Sequence, residues 1–435
     1  MERKRRLKIL VSAYACSPFK GSEHAVGWGF VQVLSRHHDL WVIAEEEKCR
    51  ADIERFLAEN PGALPGVTFH FLRKKRNRRL RKIWPPSYYW YYRQWHRRAF
   101  ELAIRLHDRV EFDLAHQLTM VGFREPGYLW RLDIPFVWGP VGGMGYFPWR
   151  FLPVVGGYGT LYYLGYNLYN GLQMRLMRRP RLAARRAGGH GLLLATPDNR
   201  VGARRYWGVA GRLLPEVGLP RPPQENPASR RSDEPLRIVW TGLHIPRKAL
   251  NLGLRALARL PDELEWELHV LGEGPRTRAW KRLARKLGIA GRCRFHGWLE
   301  RDRALALMGQ GHLLLITSLR DLTSTVTVEA LALGLPVVCL DHCGFAAVVD
   351  EDCGIKVPVT TPGRVITGLA DAVEWLARDE GYRYRLAQGA LERAKAFDWE
   401  RKASEVNALY QAKEMEAHGC CAGGMQKKIL PEATE

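Results

Sequence analysis

Two carboxylates in the pattern Asp321-x7-Glu329 straddle the junction between an apolar run and a small-residue helix pattern. The run is His312-Leu-Leu-Leu-Ile-Thr-Ser318, the junction Leu319-Arg-Asp-Leu-Thr-Ser-Thr325, and the helix Val326-Thr-Val-Glu-Ala-Leu-Ala-Leu-Gly334. Pro336-Val-Val-Cys339 then opens another apolar run. Thr323 or Ser324 can cap the helix, leaving backbone N–H groups and the positive end of its dipole directed outward. Such a mouth binds phosphate without a dedicated side chain. Asp321, just before the helix, and Glu329, in its early turns, can approach one ligand together, one acid at sugar hydroxyls and the other at a ribose. Taken alone, the same residues also describe a capping acid and a solvated helix glutamate.

Positioning these groups requires a strand–loop–helix frame, and the chain repeats one. Leu7–Ala15, Leu40–Ala44, Val67–Phe71, Phe112–His116 and Phe136–Val141 are short runs rich in β-branched and aromatic residues. Glu23–Ser35, Arg50–Glu59 and Arg93–His107 carry a helical period. The alternation restarts with strands at Leu236–Thr241, Trp266–Leu271, Cys293–Phe295, His312–Thr317 and Pro336–Leu340. Between them lie helices at Lys248–Leu260, Arg276–Leu287, Asp302–Met308 and Thr325–Leu333, and three more follow at Arg364–Ala377, Tyr382–Ala396 and Trp399–Lys413. Near-continuous apolar strands between helices predict α/β architecture with parallel sheets covered on both faces. Pro220–Pro235 has no periodicity and reads as a linker. The predicted organisation is a first domain over 1–219, a linker over 220–235 and a second domain over 236–397. A helix over 398–415 packs back toward the first domain, and a disordered tail covers 416–435. Two doubly wound, Rossmann-like halves would face a central cleft at the carboxyl ends of their strands, where open α/β sheets bind ligands.

With 435 residues, 46% of them apolar and 26% charged, the chain is neither disordered, collagen-like nor a coiled coil. Its 67 Lys and Arg against 45 Asp and Glu leave a net charge of +22, which suits an anionic partner. Nucleotide phosphate, nucleic acid and an acidic membrane face all qualify. The eight cysteines show no C-x-x-C spacing and read as reduced thiols of a cytoplasmic protein, with no metal site. Phe151 to Met174 is uncharged, but its Gly, Asn and Gln residues argue against a membrane span.

Further motifs stand in a fixed order. Tyr14-Ala-Cys-Ser-Pro-Phe-Lys-Gly-Ser-Glu23 with Val26-Gly-Trp28 follows the first strand, and His116 closes Phe112-Asp-Leu-Ala-His. Val239-Trp-Thr-Gly-Leu-His-Ile-Pro-Arg-Lys248 opens the second half, followed by Leu268-His-Val-Leu-Gly-Glu-Gly274-Pro and Phe295-His-Gly-Trp298. Together with Asp321-x7-Glu329 and Gly334-Leu-Pro-Val-Val, these resemble the retaining glycosyltransferases of family GT4, which have the GT-B fold. The resemblance covers most of the chain. It implies transfer of a sugar, with retention, from a nucleotide-diphosphate-sugar to a lipid-linked or polysaccharide acceptor in cell-envelope or exopolysaccharide synthesis. By that resemblance Lys248 neutralises the donor diphosphate, Glu329 holds the ribose, and Asp321 holds the transferred sugar. Gly21 and Ser22 admit the phosphates, and His116 lies near the anomeric centre. Gly272, Gly274, Gly297, Thr323, Ser324 and Thr325 complete the donor side. The resemblance implies a front-face route in which the diphosphate departs as the acceptor attacks from the same side. Cationic groups serve the leaving group, so neither metal nor cofactor is expected.

Two positions depart from the family pattern. Gly242 is followed by Leu243 where the family has Arg, and Arg247 is positioned to supply that guanidinium from the next loop. The first acid of the pair is Asp321 where the family has Glu. Both keep a second reading open, a non-catalytic sugar-nucleotide or glycan-binding protein on the same scaffold.

One insert stands apart. Basic residues from Arg73 to Lys82 precede Ile83-Trp-Pro-Pro-Ser-Tyr-Tyr-Trp-Tyr-Tyr92, then Arg93, Trp95, Arg97 and Arg98. Clustered cations beside Trp and Tyr over 73–98 suit an acidic lipid headgroup surface. The uncharged Phe151–Met174 stretch with its five tyrosines either joins that surface or packs in the core. The expected location is peripheral, on the cytoplasmic face of the inner membrane. Nucleic-acid binding is disfavoured because no nucleic-acid fold accompanies the insert.

Overall fold

The computed structural model describes the chain except residues 1–4, 22, 76–78, 80–82, 84–86, 220–221, 232 and 423–435 and the side chains of 417–422. The first sheet comprises β1 (Lys8–Ala13), β2 (Asp39–Glu45), β3 (Val67–Leu72), β4 (Leu114–Thr119), β5 (Phe136–Val141), β6 (Leu192–Leu194) and β7 (Arg212–Leu213). Its order is β3-β2-β1-β4-β5-β6-β7, and its pairings are parallel, with Ile9 opposite both Leu40 and Leu114. The second sheet comprises β8 (Leu236–Thr241), β9 (Trp266–Leu271), β10 (Cys293–Gly297), β11 (Leu313–Ile316), β12 (Val337–Leu340) and β13 (Gly354–Val357). It is also parallel, in the order β10-β9-β8-β11-β12-β13. Strands such as Ile9-Leu10-Val11 and Leu313-Leu314-Leu315 are buried at every residue, because helices cover both faces. Strand order reverses between β1 and β4 in one sheet and between β8 and β11 in the other. Those switch points open the crevices in which the candidate site lies.

The linker does not float free. Gln224 donates its N–H to the Ala332 carbonyl, Arg383 donates to the Ala228 carbonyl, and Arg230 pairs with Glu380, so the segment lies along the second domain. The chain crosses between domains twice more. Phe147, Phe151, Val155 and Tyr163 pack into the second domain's core. The final helix, Trp399–Ala422, packs on the first domain, with Trp399 edge-on to Phe30 at 5.2 Å. A Cβ at Gly29 or Gly218 would fall 2.3 or 2.5 Å from that indole, so both glycines clear its seat. Helical backbone continues through Ala422, well beyond the tail boundary expected at 416, and residues 423–435 lie outside the described part.

Three strands (β6, β7 and β13) and the helices Gly156–Leu176, Arg178–Gly191 and Pro197–Trp207 have no counterpart among the sequence-derived elements. The first of these helices accounts for the uncharged stretch. Tyr163 is buried and Tyr166 half-buried, while Tyr158, Tyr162 and Tyr169 face outward. Tyr163 therefore packs in the core, and Tyr158, Tyr162 and Tyr169 form an outward face of the same helix. Among the described residues no helix is long and apolar enough to cross a membrane.

Candidate active site

A cavity of about 720 Å³ lies between the two sheets. The first domain contributes Tyr14, Glu23, Arg124 and Asp198 to its wall, and the second contributes Arg247, Asp321, Ser324 and Thr325. A smaller hollow of about 340 Å³ adjoins it, lined by Gly21, Arg301, Trp399 and Glu329. Val26, Val217 and Thr325 belong to both walls, so the two spaces adjoin at the start of the helix Thr325–Ala332.

Asp321 is the electrostatic centre of the second-domain wall. Its carboxylate receives the Lys248 ammonium at 2.5 Å and faces the Arg247 guanidinium at 3.3 Å. Burial raises the carboxyl's pKa, but the two cations outweigh it and hold the group below the usual carboxylate range. The cations are fixed in turn: Arg247 donates to the Arg320 carbonyl at 2.6 Å, and Thr317 Oγ1 donates to the Lys248 carbonyl at 2.7 Å. Arg247 thus stands on the cavity wall, where the sequence placed its replacement guanidinium, whereas Lys248 reaches Asp321 from behind the wall. Leu243, the residue in the family's Arg position, is exposed.

The helix mouth differs from expectation in one useful way. Ser324 occupies the N-cap with φ +64°, and neither it nor Thr323 caps the helix with its side chain. Thr323 is fully buried and commits both its N–H and its hydroxyl to Glu216, at 3.0 and 2.7 Å. The expected donor contact by the Thr323 side chain is therefore corrected: a carboxylate from the end of the first domain has taken it. Ser324 and Thr325 do line the cavity, and the helix mouth between them carries no side-chain cap.

Glu329 lines the smaller hollow and accepts from Arg301 Nη2 at 2.6 Å. Gly21 faces the same hollow, and a Cβ built on it would meet nothing within 4 Å, so any obstruction there would arise only against a ligand. Ser22 lies outside the described residues. Gly272, Gly274 and Gly297 line neither space. They hold neighbouring turns together: Gly272 has φ +104° and a Cβ there would fall 2.2 Å from the Gly242 carbonyl oxygen. Its N–H donates to Gly297 O at 2.8 Å.

His116 is the clear miss. The sequence placed it at a strand end, but β4 runs on to Thr119, which puts His116 mid-strand and fully buried. Nδ1 meets the Tyr410 hydroxyl at 2.6 Å and Nε2 meets the Gly139 carbonyl at 2.8 Å. Burial, only partly opposed by the Gly139 hydrogen bond, lowers its pKa to about 4. The residue ties the C-terminal helix to the first sheet and is absent from the cavity wall.

Sequence reasoning also missed Glu216, Glu23 and Lys402. Burial raises the pKa of both glutamates, and Glu23 accepts the Val121 N–H at 3.3 Å. Lys402, on the last helix, donates to the carbonyls of Pro215 and Val217 on either side of Glu216. Glu23 closes the motif that follows the first strand, whereas Glu216 and Lys402 belong to no motif and meet only because the last helix packs back on the end of the first domain.

The second domain carries a family-level match. Residues 235–379 fit the family described as glycosyl transferases group 1. The domain is of the group 1 glycosyltransferase type. Among curated proteins, the chain is 30% identical over 204 residues to the D-inositol 3-phosphate glycosyltransferase of Kribbella flavida, covering 43% of this chain and 47% of that one. The chain thus spans about half the length of that relative. The lipopolysaccharide outer core galactosyltransferase WaaB has the same fold, with a TM-score of 0.64 at 13% identity over 94% of this chain and 100% of that one. Anabaena Alr3699/HepE in complex with UDP-glucose gives a TM-score of 0.57 at 16% identity over 94% and 100%. The architecture is GT-B, two Rossmann-like domains across a cleft, and with it the group 1 resemblance drawn from the motifs stands.

Proposed function

We propose that the protein is a retaining glycosyltransferase using a nucleotide-diphosphate-sugar, with a lipid-linked or polysaccharide acceptor. The observation that carries this reading is the convergence of Arg247 and Lys248 on Asp321 beside the uncapped mouth of the helix Thr325–Ala332. A diphosphate entering there meets the Arg247 guanidinium and a helix N-terminus, with the Lys248 ammonium held behind them on Asp321, while Asp321 lines the larger space for the sugar and Glu329 the adjoining hollow for the ribose. HepE in complex with UDP-glucose, on the same fold, supports a nucleotide-sugar in this cleft. The glycosidic C–O bond breaks as the acceptor oxygen attacks from the same face. The acceptor's proton passes to the departing diphosphate, whose charge the cations and helix mouth stabilise. No metal is assigned to this step.

Incubation with a panel of nucleotide sugars tests the proposal. Slow release of nucleoside diphosphate, lost in Glu329→Ala, is the expected result. Tight nucleotide-sugar binding with no release from any donor would favour the non-catalytic reading.

The acidic membrane surface is proposed chiefly on the second of the two elements the sequence offered for it, the uncharged stretch after Phe151. The described part of the insert is divided: Tyr92 and Trp95 are buried and Lys74 lies 3.6 Å over the Tyr88 ring, while Ile83, Tyr89, Trp90, Arg93 and Arg97 are exposed. Residues 76–78, 80–82 and 84–86 of the insert lie outside the described part. By contrast, the helix Gly156–Leu176 presents Tyr158, Leu161, Tyr162, Leu168, Tyr169, Leu172 and Leu176 to solvent, with Tyr158 84% and Leu161 72% exposed. A continuous stripe of this kind on a helix is anomalous for a surface that stays in water. Arg175, Arg178 and Arg181 stand at its C-terminal end, and Arg175 shares the Tyr206 ring with Arg205. Apolar stripe plus cations is the complement of an acidic bilayer surface. The opposite face of the helix brings Tyr166 to Arg320 on the cavity wall, at 2.6 Å, so a docked helix would set the cavity beside the lipid.

A further inference from the structure

We propose a soft divalent cation site, of the zinc class, between the two domains, made by Asp198, His342 and Cys343. One carboxylate oxygen, one imidazole nitrogen and the thiol sulfur of these residues all lie within 4.8 Å of one another. Asp198 belongs to the first domain, in the first turn of the helix Pro197–Trp207, and its neighbour Asn199 anchors that turn by accepting the Met144 N–H at 2.8 Å. His342 and Cys343 belong to the second domain, in the turn after β12, where Cys343 is held at φ +58°.

Three features make this more than a chance meeting. His342 Nδ1 stands 3.8 Å from Asp198 Oδ2, too far for a hydrogen bond, and its Nε2 is buried without a partner among the described residues. Cys343 Sγ already accepts the Asp321 N–H at 3.2 Å, an outer-shell contact of the kind that stabilises a metal-bound thiolate. The donor set of one sulfur, one nitrogen and one oxygen matches zinc chemistry and leaves a fourth position open toward the cavity that Asp198 and Cys343 line. Zinc–ligand bonds of about 2.0–2.3 Å require these atoms to draw in by on the order of 1 Å, within the reach of side-chain rotation. Burial, with the Asp198 and Asp321 carboxylates, pushes the thiol's pKa up. A dication reverses that local balance, and the thiol proton leaves to solvent as the metal–sulfur bond forms.

Because the ligands come from both domains, the cation would clamp the cleft shut. Resting on the transferase reading above, the consequence is slowed exchange of donor and product, since domain opening gates both. Metal binding itself does not depend on that reading, so the two fail separately.

The test uses the full chain stripped by chelator and titrated with Co²⁺ as a spectroscopic substitute for zinc. One equivalent should give a sulfur-to-cobalt charge-transfer band in the near ultraviolet, bleached by added Zn²⁺. Cys343→Ala should abolish the band. His342→Ala and Asp198→Asn should weaken Co²⁺ binding by at least the roughly 10–100-fold that follows loss of an outer-shell partner. Thermal unfolding in chelator shows that each variant is folded, and Asp198→Asn, at a half-exposed position, carries the test if Cys343→Ala is not. Absence of the band in the unaltered chain, or unchanged Co²⁺ affinity in both His342→Ala and Asp198→Asn, overturns the site. Inhibition of donor hydrolysis by stoichiometric Zn²⁺, relieved in Asp198→Asn, supports the clamp; Zn²⁺ that binds without slowing hydrolysis overturns the clamp and leaves the site.

Discussion

Replacing Lys248 by Met removes the ammonium that must turn from Asp321 to reach a diphosphate, and leaves Arg247 as the cation facing Asp321. Asp321 would keep the Arg247 guanidinium 3.3 Å away, so no buried carboxylate is orphaned and the variant should fold. The loss falls on the ligand. A hydrogen bond to a charged group contributes about 1.5–3 kcal/mol, which converts to roughly 10- to 150-fold weaker binding of UDP. Calorimetric titration with UDP reads this directly. Asp321→Asn provides the opposing arm: it releases Lys248 and Arg247 from a competing anion, so UDP should bind at least as tightly while sugar transfer fails. Lys248→Met binding UDP within about twofold of the parent protein would refute the reasoning, because an ammonium that contacts the diphosphate cannot be that dispensable.

Other outcomes follow from the same geometry. Glu216→Ala strands the buried N–H and hydroxyl of Thr323 and should cost about 1–3 kcal/mol, measured by urea unfolding, and weaken UDP binding by disordering the helix mouth. His116 stays neutral in the folded chain down to about pH 4, while the unfolded chain takes up its proton near the ordinary value of 6.5. Its contribution is therefore complete above pH ~6.5 and declines as pH falls to about 4, by about 3 kcal/mol over the window. His116→Gln should unfold more easily at pH 7 and lose less stability on acidification. Leu161→Glu with Leu168→Glu should abolish sedimentation with acidic vesicles and leave UDP affinity unchanged; retained sedimentation would remove the helix Gly156–Leu176 from the membrane account.

Most of the architecture is legible because both sheets are parallel and doubly covered, so that runs such as Leu236–Thr241 and Trp266–Leu271 are mainly apolar strands with matching bounds. The Gly156–Leu176 helix is not legible as an element, since its leucines and tyrosines point to solvent as well as core and blur the amphipathic period. Asp321 and Glu329 are legible because sequence spacing sets their positions on one strand–loop–helix unit, and Arg247 because it follows the first strand of the same sheet. His116 misleads because the length of β4 beyond it depends on pairing with β1 and β5, which no local pattern encodes. Glu216 and the Asp198–His342–Cys343 cluster are set by contact between domains, and spacing along the chain carries no trace of that contact. The cysteine spacing carries no sign of the proposed cation site for the same reason: Asp198 and the pair His342–Cys343 lie more than a hundred residues apart.

A crystal structure of the full chain with UDP tests the central claim most directly. The account predicts the diphosphate at the mouth of the helix Thr325–Ala332, within hydrogen-bond distance of the Ser324 or Thr325 N–H and of Arg247 or Lys248, with the ribose turned toward Glu329. A diphosphate held elsewhere, for instance on the arginines at the end of the Gly156–Leu176 helix with the cavity empty, would contradict it.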